Sequence, residues 1–221
     1  MARTLNWVPQ FDKRSLRWTI SEHFPVSGAK AHTRTWRTEV VLDQGEEGAC
    51  VGFSCAHMLA TTPRRRQGMT PQLAKSLYKE AQLIDEWAGE DYEGTSVLAG
   101  IKAVNNRGWL NHYYWATSID EVANAVSIRG PMVMGTVWKS GMWEPDDTGK
   151  LHVEGKTVGG HAWAMVGVIP RLELFIMQNS WGREWGQNGR GLISYEDFQK
   201  LIDEDAEMCL PMKVIPNVKN R

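Results

Sequence analysis

Cysteine is scarce in this chain: three residues in 221, at Cys50, Cys55 and Cys209. So few, and an odd number, argue against a disulfide framework and fit a reducing compartment. Long apolar runs are lacking too. Nothing approaches the roughly 18 consecutive apolar residues of a membrane span, and the opening MARTLNWVPQFDKRS has no apolar centre of a secretory signal. Neither sign of charge dominates, with 25 Lys and Arg against 26 Asp and Glu and a formal net charge of -1. Nucleic acid and anionic membrane are therefore not expected as main partners. The short basic cluster Arg64 to Arg66 sits among turn residues and reads as a solvated loop. His23, His32, His112 and His152 share no spacing with one another or with cysteine that suggests a metal site, so neither metal nor cofactor is expected.

A chain of this length can bury a substantial core without staples. Residues 1 to 43 are mixed in charge and interrupted by Pro9, Pro25 and Gly28, so they read as an irregular arm that Trp7, Trp18 and Trp36 pin to a body. After Gly48, ACVGFSCAHMLA predicts a buried helix beginning at or just before Cys50. TPQLAKSLYKEAQLIDEW predicts a second, with Thr70 as cap and Pro71 in the first turn. TSVLAGIKAVNNRG predicts a third, capped by Thr95 and ended by Gly108, and SIDEVANAVSIRG a fourth, with Ser118 and Glu121 spaced as a capping box. From there PMVMGTVW, HAWAMVGVI, LELFIMQ, GRGLISY and CLPMKVI read as antiparallel strands, with a short helix capped by Ser194 among them. The expected organisation is an arm over 1–40, a helical lobe over 41–117 and a strand-rich lobe over 118–221, within one domain.

Cys50 heads the first of these helices. A thiolate is the reactive form of cysteine, and an ordinary thiol with pKa near 8.5 is only a few per cent ionised at pH 7. Helix N-terminal amides favour the anion, and a neighbouring histidine can take its proton. His161, in GGHAWAMVGV, opens an apolar strand; Asn179, in MQNSWGREWGQNGRG, ends another and is followed by Trp181. An amide oxygen accepting from an imidazole orients it without adding charge. Seen alone, Cys50 would pass for a core residue, His161 for a strand histidine and Asn179 for a turn residue. His57 lies about 10 Å along the same helix as Cys50, too far to act as its base, and Cys55 and Cys209 read as core.

Gln44, Cys50, His161 and Asn179, in that order within QGxxGAC, GHAWAMVG and NSWGxxWGxxG, resemble the papain-like cysteine peptidases of family C1. The resemblance runs from about Val41 to the C-terminus. It implies an α+β fold of two lobes, a helical left lobe and an antiparallel, β-barrel-like right lobe, with the active-site cleft between them. It implies a thiol protease that cleaves polypeptide substrates through a thioester acyl-enzyme. Cys50 would be the nucleophile, His161 base and then acid, and Asn179 would orient His161. Gln44 and the Cys50 backbone N–H would donate to the oxyanion, and Trp181 would cover the His161 to Asn179 contact. An exopeptidase or amide-bond acyltransferase on the same site, or a catalytically silent binding module, are the alternatives.

Some positions depart from the family. His161 lies 111 residues after Cys50, fewer than the family's usual gap of about 130, which implies trimmed loops. Glu47 stands where plant and lysosomal members have a disulfide cysteine, and Val51 where they have an aromatic, which resembles a bacterial or phage-type branch. A cytoplasmic, virion-associated or host-cell-associated protein is the corresponding expectation. Glu46 and Glu47 are expected to raise the pKa of the nearby thiol. The resemblance also assigns the pocket for the second residue before the cut to Gly94, Gly135, Gly159 and Gly160. Bare walls there imply room for a bulky apolar or aromatic side chain. Trp138, Trp143 and Trp185 are candidates for the cleft rim. With 43 residues ahead of Gln44, a full inhibitory pro-domain is not expected, and residues 1 to about 30 are expected to pack as an arm or as a short self-blocking segment.

Overall fold

The computed structural model describes residues 3–9, 13–24, 30–85 and 93–212. Helix α2 (Cys50–Ala60) forms the centre of the first half, with all eleven of its residues buried. Burial on every side explains why its sequence shows no polar stripe. Helix α3 (Pro71–Gln82) packs across it so closely that a Cβ on Gly52 would lie 2.1 Å from the Ala74 carbonyl oxygen. Thr70 caps α3 as expected, its side chain accepting from Leu73 N–H, although the helix ends at Gln82, short of the expected Trp87. Helix α4 (Val97–Asn106) completes the group. Its N-cap is Ser96 and not Thr95: Ser96 Oγ accepts from Ala99 N–H, whereas Thr95 pairs with the N-terminal arm.

The strands form one open sheet in the order β2 (His112–Trp115), β8 (Glu207–Met212), β3 (Met132–Lys139), β5 (Thr157–Ile169), β6 (Leu174–Gln178), β7 (Arg190–Ser194), β4 (Lys150–Leu151), with β1 (Arg34–Thr35) paired to β5. All neighbours are antiparallel except β4 and β7. Among the described residues the sheet does not close into a barrel, so the barrel-like description holds only loosely. β2 precedes residue 117 yet joins the sheet through β8. Helices α5 (Ile119–Ile128) and α6 (Tyr195–Ile202), capped by Ser118 and Ser194, cover an aromatic-rich core that includes Trp163, Phe175 and Phe198.

The arm is less irregular than its composition suggests. It contains a 3-10 turn over Lys13–Trp18 and the one-turn helix α1 (Ile20–His23). Trp7 is buried, and Trp36 donates from Nε1 to the Val126 carbonyl at 2.7 Å. Trp18 does not anchor the arm in the core: it is 49% exposed and stacks on His23. Pro25 and Gly28 lie outside the described residues.

Candidate active site

Cys50 is the first residue of α2, behind the turn of residues 44–49 in which Gly45 adopts φ +64. The backbone N–H groups of Ala162, Asn6, Val51 and Cys50 itself lie around its sulfur and favour the anion. Two of these donors belong to the N-terminus of its own helix, where unpaired amides point outward. Ala162 brings β5, and with it the residue after His161, against the thiol. Burial raises the thiol pKa, and the four amides offset that only in part. Neither Glu46 nor Glu47 contributes to the shift. Glu47 Oε2 pairs with Lys75 Nζ at 2.6 Å, so the expectation that these carboxylates govern the thiol is replaced by desolvation.

His161 sits in the middle of the sheet, on β5 opposite Thr136 of β3. Its Nε2 is 2.8 Å from Asn179 Oδ1, which also accepts from Ser180 N–H at 2.8 Å. An amide oxygen can only accept, so Nε2 carries the hydrogen and Nδ1 keeps its lone pair. Among the described residues Nδ1 makes no hydrogen bond. Trp181 lies over the imidazole with ring centroids 4.7 Å apart, and Trp138 meets it edge-on at 4.9 Å. Burial pushes the imidazole down to about 4, against the opposing pull of Asn179. Both groups are therefore neutral in this closed arrangement.

Gln44 is held by a pairing between two distant loops. Gln44 N–H donates to the Ser180 carbonyl, Gly182 N–H to the Leu42 carbonyl, and Ser180 Oγ to Gln44 Oε1 at 2.6 Å. The loop before Cys50 is thereby fastened to the loop carrying Asn179. Gln44 Nε2 donates to the carbonyls of Glu47 at 3.0 Å and Thr4 at 3.2 Å. The second acceptor comes from the arm.

Residues 3–8 run past the Cys50 thiol and alongside β5 at Gly160. Arg3 donates to the Trp143 carbonyl and pairs with Glu144, with its guanidinium 5.1 Å from the Trp181 ring centroid. Asn6 lies at the thiol and accepts through its carbonyl from Thr95 N–H. Trp7 N–H donates to the Gly160 carbonyl and Val8 N–H to the Thr95 carbonyl, so that the arm and Thr95 run parallel. The Trp7 indole fills a pocket and donates from Nε1 to Glu207 Oε2 at 2.7 Å.

Of the four glycines assigned to that pocket, Gly135 and Gly160 face the indole: a Cβ there would come within 2.2 Å and 2.8 Å of ring atoms. Gly159 instead meets Leu5, and Gly94 meets the Asn6 carbonyl and Val8. Trp138 and Trp185 are fully buried and do not form a rim, whereas Trp143 stacks on Trp181. Glu207 was missed in the sequence; its available signal was a lone carboxylate heading the apolar strand EMCLPM.

No family model matches the chain. An uncharacterized peptidase C1-like protein of Acanthamoeba polyphaga mimivirus is 23% identical over 200 residues, which cover 70% of this chain and 64% of that protein. Among solved structures, xylellain, a cysteine protease from Xylella fastidiosa, aligns with a TM-score of 0.71 at 16% identity over 96% of both chains. Digestive procathepsin L 3 of Tenebrio molitor larval midgut gives 0.65 at 17% identity over 85% of this chain and 71% of its own. Bromelain from Ananas comosus in complex with the E64 inhibitor gives 0.53 at 16% over 83% of this chain and 99% of its own. The fold shared with these chains is the papain-like one.

Proposed function

We propose that this papain-like protein is a cysteine endopeptidase that uses Cys50, His161, Asn179 and Gln44. Fold and homology support a papain-like cysteine peptidase. The observation that carries the finer reading is the meeting of Cys50, at a helix N-terminus, with the strand of a histidine already oriented by Asn179 at 2.8 Å. With a peptide in the cleft, His161 Nδ1 takes the Cys50 proton and the sulfur attacks the carbonyl carbon. The oxyanion receives hydrogen bonds from Gln44 Nε2 and Cys50 N–H. Collapse expels the amine, which takes the proton back from His161 and leaves a thioester. Water, deprotonated by His161, then releases the acid and restores the thiol. Trp181 and Trp138 keep bulk water from the His161 to Asn179 contact throughout.

Residues 4–8 are, in this reading, a self-blocking segment. Trp7 fills the pocket for the second residue before the cut, Asn6 covers the thiol, and the Thr4 carbonyl takes the Gln44 amide hydrogen bond. A substrate would run from pocket to thiol in the N-to-C direction, and the arm runs the opposite way. Its peptide bonds therefore carry their nitrogen on the wrong side of the carbonyl for protonation as a leaving group.

The test is mass spectrometry after exposure to an epoxysuccinyl thiol inhibitor, together with peptide turnover. A single adduct that is absent from Cys50→Ala is expected, forming faster in Trp7→Ala than in the unaltered chain. An adduct that survives Cys50→Ala discredits the nucleophile. Equal rates in the presence and absence of Trp7 discredit the blocking segment.

A further inference from the structure

We propose that Glu207 makes this pocket selective for a substrate side chain that donates a hydrogen bond at its tip, tryptophan or arginine, at the second position before the scissile bond. The inference rests on the peptidase reading above and names the substrate class of that same site. Glu207 opens β8, where its side chain is buried, and its Oε2 accepts from Trp7 Nε1 at 2.7 Å and from Val97 N–H at 3.0 Å. Val97 is the first residue of α4, so the carboxylate sits at the positive end of that helix. This second bond does not involve the arm and keeps Glu207 aimed into the pocket when Trp7 leaves.

Bare glycine walls alone would accept any large apolar side chain, and an apolar pocket discriminates poorly among these. A buried acceptor changes that. A leucine or phenylalanine in the pocket strips water from the carboxylate without replacing its hydrogen bond, a penalty that discriminates against such residues. An indole N–H replaces that bond, as Trp7 does. A guanidinium replaces it with opposite charge and several donors, and its charge-assisted bond is the stronger. Gly135 and Gly160 supply the width that both side chains need, because a Cβ at either would overlap the indole.

The experiment measures kcat/KM for dipeptide fluorogenic substrates with arginine next to the cut and tryptophan, arginine, phenylalanine or leucine before it. It uses the full chain carrying Trp7→Ala, with and without Glu207→Gln. Glutamine keeps an acceptor for Val97 N–H and for an indole but loses the charge. Arginine and tryptophan should each exceed leucine by about tenfold or more. Glu207→Gln should cut the arginine-to-leucine ratio by about tenfold while shifting the tryptophan-to-leucine ratio by less than about threefold. An arginine-to-leucine ratio indifferent to Glu207→Gln, or leucine and phenylalanine preferred when Glu207 is present, overturns the assignment and leaves the peptidase reading intact. Failure to cleave any of the peptides, with no adduct on Cys50, overturns both. Trp7→Phe in the otherwise unaltered chain removes the indole donor, and some ring volume with it, and should speed Cys50 alkylation; an unchanged rate also counts against Glu207 as the recognised acceptor.

Discussion

At the scale of single residues, the site is built from small differences in what each side chain can donate or accept. Asn179 Oδ1 receives both His161 Nε2 and Ser180 N–H, which fixes which imidazole nitrogen is left with a lone pair. Asn179→Ala should lower turnover through a disordered imidazole while leaving Cys50 alkylatable, a split that activity assays and mass spectrometry on one sample separate. Gly135 offers a cleaner probe of the arm than Trp7 does. A Cβ there would lie 2.2 Å from Trp7 Nε1, so Gly135→Ala should expel the indole and accelerate Cys50 alkylation by about tenfold or more, equivalent to some 1.4 kcal/mol of lost arm binding. An alkylation rate equal to that of the unaltered chain would show that the arm does not depend on this pocket. The proposed group of Cys50, His161, Asn179 and Gln44 could be picked out in the sequence because each sits in a short motif whose neighbours are adjacent in the chain. Glu207 could not: its partner Trp7 is 200 residues away, and no local pattern distinguishes a carboxylate facing a pocket from one facing solvent.

At the scale of elements, helix starts carry much of the chemistry. α2 begins at Cys50, the proposed nucleophile, and α4 begins where Val97 N–H meets Glu207. Among the described residues four N-cap side chains accept hydrogen bonds, those of Thr70, Ser96, Ser118 and Ser194, and three of these were readable from residue type and spacing. The third helix was displaced by one residue, because Thr95 and Ser96 are equally good caps on paper and only the pairing of Thr95 with the arm decides between them. Ser96→Ala should lower stability by about 1 kcal/mol, measured by urea unfolding, and should loosen Glu207 through the first turn of α4; Thr95→Ala should leave the cap intact. Removing residues 1–9 should raise the Cys50 alkylation rate and lower the melting temperature, since Trp7 belongs to the buried core around α2. A change in neither would refute the arm's double role.

At the scale of the whole molecule, two buried histidines couple stability to pH. Burial pushes His57 down to about 3 and His161 to about 4, from 6.5 for a free imidazole. Arg190 adds to the depression of His57, and Asn179 opposes that of His161. Between those values and 6.5 the unfolded chain binds more protons than the folded one. Their contribution to stability is therefore present above about pH 6.5 and lost as the pH falls toward 4, with a slope of up to about 1.4 kcal/mol per pH unit for each. His57 Nε2 accepts from Leu42 N–H at 3.0 Å, so its protonation also breaks a tether of the loop that carries Gln44. Urea midpoints at pH 7.0, 5.5 and 4.5 should fall in that order, and His57→Gln should flatten part of the slope. The sequence by itself determined that four helices precede a strand-rich second half and which motifs carry the proposed reactive groups, because periodicity, caps and motifs are local and survive without knowledge of neighbours. The tertiary structure alone decided that the arm passes Cys50 and that Glu207 meets the Trp7 indole. Those facts depend on contacts between segments far apart in the chain, where packing and desolvation select partners that no spacing encodes.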